Sequence, residues 1–180
     1  MITIISGTNR PDSRTAIVAR YYQEVFQAKT SSPVKYFSLE NLPADFAHLQ
    51  MYEADHQHQA IRSIQDEYMI PAQKFFFVIP EYNGSFPGIL KLFLDACSVR
   101  EYKATFNGKK AAMAGVATGR AGNFRGMEHL TGILNHVGTV VMPNKLPISS
   151  VQHLLNEQKQ FHDEEAQKTV HKQVDAFLAF

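Results

Sequence analysis

Met1-Ile-Thr-Ile-Ile-Ser-Gly-Thr-Asn-Arg-Pro-Asp-Ser-Arg-Thr15 opens the chain. Ile2–Ser6 reads as a short buried strand and Gly7–Thr15 as a polar loop. A helix over Thr15–Ala28 follows, with Ile17, Val18, Tyr21, Tyr22, Val25 and Phe26 spaced to cover one face. A strand that runs through a Gly-, hydroxyl- and Arg-bearing loop into a helix start is how an α/β protein holds a phosphate. The loop offers backbone N–H groups, the hydroxyls of Thr8, Ser13 and Thr15, and the cations Arg10 and Arg14. It lacks the Lys-Ser/Thr end of a nucleoside-triphosphate loop and the G-x-G-x-x-G of a dinucleotide fingerprint, so a monophosphate fits it better than a pyrophosphate. The same residues also fit an ordinary βα turn with Thr15 as the helix cap.

Outward from this loop, apolar runs and helical patterns alternate. Strands are predicted at Val34–Leu39, Lys74–Pro80, Lys110–Ala117 and Thr139–Met142, and helices at Gln59–Ile70, Gly88–Val99, Asn123–Val137 and Glu164–Ala179. Residues 42–57 are irregular. Phe75-Phe-Phe-Val-Ile79 carries bulky groups on both faces, which marks a strand of a parallel sheet covered on both sides. The alternation predicts a three-layer α/β fold with right-handed crossovers, a five-stranded parallel sheet in the flavodoxin-like order 2-1-3-4-5 and helices on both faces. Ligands of such sheets lie outside the carboxyl ends of the strands. That selects the loops Gly7–Thr15, Pro80–Pro87 and Ala117–Phe124 as one site.

The bulk properties agree with one domain over residues 1–180. Hydrophobic residues make up 44% and charged residues 19%, and 18 basic against 17 acidic residues give a net charge of +1. Neither sign dominates and the basic residues are scattered, so the chain predicts no nucleic-acid partner. No apolar run approaches membrane-spanning length, and the N-terminus has no basic segment of a signal peptide. The lone Cys97 cannot form an internal disulfide. These features predict a cytoplasmic protein without a membrane partner.

In the second loop, Pro80-Glu-Tyr-Asn-Gly-Ser-Phe-Pro-Gly88, two prolines stiffen the backbone, and Gly84 and Gly88 permit close approach. Tyr82 is placed to lie against a planar ligand, and Asn83 can bond to ring carbonyls and nitrogens. In the third loop, Gly119 and Gly122 allow close approach, and Thr118 and Arg120 bring polar groups. Each loop also reads as a plain β–α connection.

The segments Gly7-Thr-x-Arg-x-x-Ser-x-Thr15 and Pro80-Glu-Tyr-Asn-Gly-Ser-x-Pro-Gly-x-Leu-Lys91, followed by Leu94-Asp95, resemble the NADPH-dependent FMN reductase family of flavin, quinone, azo-dye and chromate reductases. The likeness covers about residues 1–145; the region beyond Lys145 adds only a helix. It implies that Thr8, Arg10, Ser13 and Thr15 hold the FMN phosphate. Pro80, Glu81, Tyr82, Asn83, Gly84 and Ser85 would border the isoalloxazine, and Thr118, Gly119 and Arg120 would close its other side. It implies NADPH or NADH as co-substrate, a small-molecule electron acceptor and ping-pong turnover. No side chain need act as a catalytic nucleophile or base, because the flavin carries the chemistry. Relatives are usually homodimers or homotetramers, which would bring Leu90, Phe93, Leu94 and Arg100 against a partner chain. A non-catalytic FMN-binding electron carrier or regulator is the alternative, and a phosphate-binding module without flavin is a third. Dedicated carriers tend to be strongly acidic, so the near-neutral charge favours the enzyme.

Other constellations carry less. His56-x-His58 has no neighbouring Cys and no fixed third ligand, so a solvated loop is expected there and not a metal site. His129 and His136 share a helix face. Cys97 has an apolar neighbourhood, as a structural thiol does. In Gly84-Ser-Phe-Pro-Gly88 the serine stands one residue too early for a nucleophile elbow.

Overall fold

In the computed structural model, which describes residues 1–180, the strand β3 spans Lys74–Pro80 and is buried from Phe75 to Pro80. Phe75, Phe77 and Ile79 enter one apolar cluster, and Phe76 and Val78 enter another on the opposite face. The flanking strands alternate in the same way. In β1 (Ile2–Ser6), Ile5 joins the first cluster while Ile2 and Ile4 join the second. In β4 (Lys110–Val116), Ala111 and Met113 face one way while Ala112, Ala114 and Val116 face the other. Two covered faces require helices on both sides. Helices α1 (Arg14–Lys29) and α6 (Glu164–Ala179) supply Val18, Tyr22, Phe26, Val170, Val174 and Phe177 to one. The opposite face receives Ile61 of α2 (Gln59–Ile64), Leu90, Phe93 and Leu94 of α3 (Gly88–Ala96), and Met127, Leu130 and Leu134 of α5 (Phe124–His136). A short helix that the sequence did not signal, α4 (Tyr102–Phe106), lies between α3 and β4.

The sheet is parallel, with β2 (Val34–Ser38) on one edge and the expected order β2-β1-β3-β4-β5. Its other edge differs from the five-strand expectation. The predicted Thr139–Met142 strand contracts to β5 (Val140–Val141), which pairs with Lys110 and Ala111. A sixth strand, β6 (Leu146–Ile148), pairs with Ala114–Val116 further along the same edge of β4. Pro143 lacks the N–H that a continuous ladder would use, so one edge is built as two segments in tandem. Residues beyond Lys145 therefore contribute a strand as well as a helix.

Local chemistry sets the helix boundaries. Ser13, rather than Thr15, caps α1: its Oγ accepts from the Ala16 amide at 3.1 Å, so the helix begins at Arg14. The reading of Gln59–Ile70 as one helix holds with a change of pitch, since Gln65–Met69 continues α2 as a π-turn and the Ile70 amide reaches Gln65 O at 2.8 Å. The turn carries Gln65 into the interior, fully buried. Its Nε2 donates to Cys97 O (2.8 Å) and Thr105 Oγ1 (2.7 Å), and its Oε1 accepts from Gln57 Nε2 at 3.0 Å. Gln57 Nε2 also reaches Ala96 O at 2.8 Å, which ties the end of the irregular 42–57 segment to α3. Arg100 completes this cluster by pairing with Asp66. Leu90, Phe93 and Leu94 are at most 2% exposed inside their own chain. They cannot form the partner contact that the family resemblance implies.

Small residues on β4 decide how closely the third loop approaches. A Cβ at Gly115 would stand 2.2 Å from Gly122 O, whereas nothing lies within 4 Å of one at Gly132 on the exposed side of α5. We expect Gly115→Ala to lower the unfolding free energy by about 2 kcal/mol or more through overpacking. Gly132→Ala should raise it by about 0.5–1 kcal/mol through helix propensity. Urea titration of both variants measures the contrast.

At the opposite end of the sheet, Lys109 Nζ donates to Met69 O (2.6 Å) and Ile70 O (2.8 Å), capping the end of the α2 π-turn. Burial pushes the Lys109 ammonium down from 10.5 to about 8. Between these two values the unfolded chain holds a proton that the folded chain has lost. Lys109 therefore makes stability rise as pH climbs from about 8 toward 10.5. Urea midpoints across this window should rise less in Lys109→Met than in the parent chain.

Candidate active site

The amide of Gly7 bonds to Val78 O at 2.8 Å, so the first loop leaves the sheet alongside β3. A Cβ at Gly7 would sit 2.9 Å from Ile79 Cγ2 and 3.3 Å from Leu90 Cδ2, which only glycine avoids. Thr8 follows, 1% exposed. Its hydroxyl accepts from the Arg10 amide at 3.2 Å and bonds to Tyr82 Oη at 2.8 Å. Since the Arg10 N–H is the donor in the first bond, the Thr8 hydroxyl is free to donate to the Tyr82 phenol in the second. The amides of Ser13, Arg14 and Thr15 have no acceptor within the chain, as expected at a helix start. They add donors and the positive end of the α1 dipole to Arg10 and Arg14.

The second loop is organised by a turn. Tyr82 and Ser85 exchange backbone hydrogen bonds at 2.9 and 3.1 Å, with Asn83 at φ +52° and Gly84 at φ +80° between them. Two positive φ values in a two-residue connection define a type I′ turn, for which Asn-Gly is the strongest short signal. The Glu81 carboxylate accepts from the Gly84 amide inside the turn. Outside it, Ser85 Oγ meets His129 Nδ1 at 2.9 Å.

The third loop is braced from two sides. Asn123 is 2% exposed and in the left-handed region at φ +59°. Its Nδ2 donates to Ile79 O (3.2 Å) and Pro80 O (2.7 Å), joining the loop to the end of β3. From the other side, Ala117 N bonds to Ile148 O at 3.0 Å, Ser149 Oγ to Arg120 O at 2.6 Å, and Val151 N to Ala117 O at 3.1 Å.

Between the loops lies a cleft of about 610 Å³ at the carboxyl ends of β1, β3 and β4. Thr8, Arg10, Ser13, Thr15, Pro80, Glu81, Tyr82 and Thr118 line it. Five more residues picked from the sequence, Asn83, Gly84, Ser85, Gly119 and Arg120, lie outside its walls: three belong to the I′ turn or its flank, and two to the back of the third loop. The far wall comes from a region where the sequence carried no signal. Val151, Gln152, Leu155, Asn156 and Lys159 line it. Leu155 bridges to Phe161, and Asn156 closes on Gln160 through three hydrogen bonds of 2.8–3.0 Å, so the stretch forms a strap. Phe161 anchors the strap against Tyr21, ring centroids 5.0 Å apart. Gln152 Oε1 is buried with no donor.

The remaining candidates have structural partners. His58 Nδ1 accepts from Ala60 N at 3.1 Å and so caps α2, leaving Nε2 toward Asp45 at 3.4 Å. His56 pairs with Glu53 at 3.0 Å. Cys97 is fully buried, and burial pushes its thiol well above the usual range, so it is no nucleophile. No helix is long and apolar enough to cross a membrane.

Residues 1–153 match the family model of NADPH-dependent FMN reductases. The chain is 36% identical over 108 residues to an NAD(P)H-dependent FMN reductase of Pseudomonas aeruginosa, an alignment spanning 58% of this chain and 57% of that protein. The chain thus matches little more than half the length of that relative. It is 27% identical over 144 residues to a 2-hydroxy-1,4-benzoquinone reductase of a Burkholderia species, spanning 78% of this chain and 73% of the other. Among solved structures it is similar to a flavoenzyme NAD(P)H:(acceptor) oxidoreductase from Paracoccus denitrificans, with a TM-score of 0.78 over 99% of this chain and 94% of that one. At 22% identity, this is a likeness of fold.

The link from Asn123 to the end of β3 is testable without a ligand. Asn123→Ala removes both bonds to the β3 carbonyls and places alanine at φ +59°. We expect a loss of about 2–3 kcal/mol in urea unfolding. Hydrogen exchange should rise in the second loop ahead of β1.

Proposed function

The chain belongs to the NADPH-dependent FMN reductase family, and on that premise we propose that it binds FMN in the 610 Å³ cleft and reduces a flavin, quinone or similar small acceptor with NADPH or NADH. One observation carries this reading: a phosphate-type loop and an aromatic loop meet across one cleft, joined by the 2.8 Å Thr8–Tyr82 hydrogen bond.

The donor set fits the group. Arg10 and Arg14 offset the charge of a phosphate dianion, and the Ser13, Arg14 and Thr15 amides present N–H groups to its oxygens. The Ser13 and Thr15 side chains line the same end. Gln152 Oε1 lacks a donor within the chain and is suited to accept from a ribityl hydroxyl or a ring N–H. Pro80, Val116 and Ala117 give the cleft an apolar portion against which a flat ring loses water. Tyr82, 36% exposed and held by Thr8, forms the side wall. Glu81 borders the ring beyond it and Thr118 closes the opposite side, while the Asn83–Ser85 turn and the Gly119–Arg120 backbone support these walls from outside the cleft.

Hydride uptake from the nicotinamide and onward electron transfer are the chemistry that FMN would supply there, and the two substrates would use one open face in turn. The protein binds, orients and excludes water. No side chain of the cleft is required as nucleophile or base.

Absorbance of the FMN-loaded, desalted protein under anaerobic NADPH tests the reading. Flavin bands that survive desalting and bleach with NADPH are expected; absence of bands overturns it. Arg10→Ala should raise the Kd for FMN about tenfold or more, the worth of a charge-assisted bond to phosphate, with little change for riboflavin. Fluorescence-quenching titration gives both constants.

A further inference from the structure

A second cleft of about 410 Å³ continues from the first around the start of α1. The two share Asp12, Ser13, Ile17 and Lys159. The second is floored by one face of α1 (Ser13, Ala16, Ile17, Arg20) and walled by the end of β2 and the turn after it (Tyr36, Ser38, Glu40, Asn41). Arg20 lies over the Tyr36 ring, with its guanidinium carbon 3.6 Å from the ring centroid. The Arg20 side chain is exposed, and its one hydrogen bond is to Gln23, at 3.0 Å, so the guanidinium has no ionic partner in the chain.

We propose that this second cleft is an adenylate subsite, and that the protein accepts FAD, the AMP half passing from the phosphate loop into it. The inference rests on the assignment of the first cleft to FMN. Three features point to this ligand chemistry. A guanidinium plane backed by an aromatic ring is a stacking platform for a purine. Glu40, Ser38 and Asn41 present the acceptors and donors that ribose hydroxyls and a base edge need, and a carboxylate at the end of a strand is the usual partner of ribose hydroxyls in nucleotide sites. Lys159 stands where the clefts join, which is where the second phosphate of a pyrophosphate would fall. The phosphate loop by itself suits a single phosphate, and the added cation comes from the strap at residues 155–161. Asp12 is the one carboxylate at that junction and works against the second phosphate, so Lys159 must offset it. A cleft of 410 Å³ lies in the size range of small-ligand sites.

The apoprotein is titrated with FMN, FAD and riboflavin, for the parent chain and for Arg20→Ala and Glu40→Gln, with KM for NADPH and NADH measured on each FMN-loaded protein. Arg20 and Glu40 are exposed, so both variants should fold. FAD is expected to bind at least as tightly as FMN. Arg20→Ala should weaken FAD about tenfold, the worth of a partly desolvated stack, while FMN stays within about twofold. Unchanged FAD binding in both variants overturns the proposal, since the adenylate then hangs in solvent. A raised KM for NADPH with unchanged FAD affinity gives the cleft to the dinucleotide substrate and overturns it too. Failure of the parent chain to bind FMN at all is a different result and removes the reading on which the proposal rests.

Discussion

Phe75, Phe77 and Ile79 point to one side of the sheet while Phe76 and Val78 point to the other, and all five are fully buried. A central strand with this loading leaves neither face of the sheet to water. Burying one such side chain stabilises by roughly 1.5–3 kcal/mol, so neither face can be given up cheaply. Helices must close both faces, and each must return the chain to the same end of the sheet before the next parallel strand begins. The loops after β1, β3 and β4 are thereby collected at the carboxyl end. The cleft follows from the burial of β3 before any polar residue is chosen.

What the polar residues add is fixed by size as much as by charge. β4 carries Ala111, Ala112, Ala114 and Gly115, and the absence of bulk there lets the third loop pack down until Gly122 O lies where a Gly115 side chain would be. Asn123 can then reach the carbonyls of Ile79 and Pro80 and lock the loop to β3. On the other side, the split edge strand frees Ser149 and Val151 to bond to Arg120 O and Ala117 O. Large side chains on β3 and small ones on β4 are therefore complementary. One makes the core, and the other brings a ligand loop close to it.

Features that depend on local chemistry were legible in the sequence. The strand–loop–helix start, the buried β3 and the parallel order could be read from short-range pattern, and eight of the cleft-lining residues from that pattern together with the family resemblance. Features that depend on distant pairing could not. Leu146–Ile148 has no alternation long enough to mark a strand, and it becomes one only because β4 offers free backbone groups after Pro143 ends β5. The strap at 155–161 is polar, and nothing short of the tertiary fold places Lys159 beside Ser13. Asn83-Gly84 is a different case. The dipeptide carries its turn signal openly, and its two positive φ values make it a backbone device that turns the Asn83 side chain away from the role of a ring ligand within the cleft. Leu90, Phe93 and Leu94 show the limit of resemblance: the pattern placed the helix correctly but said nothing about which surface it would cover.

Charge in this molecule is arranged for short range. With a net charge of +1, the chain has no large field to draw a charged partner from a distance. The first cleft concentrates Arg10, Arg14, Lys159 and the α1 amides against Asp12 and Glu81, and the Glu81 carboxylate is engaged by the Gly84 amide. Such an excess acts over a few ångströms, within the screening length of about 8 Å at physiological salt. It suits retention of a small phosphorylated ligand and does little to recruit a macromolecule. The separation is physically economical. A phosphate is held by donors in contact with it, whatever the sign of the rest of the surface.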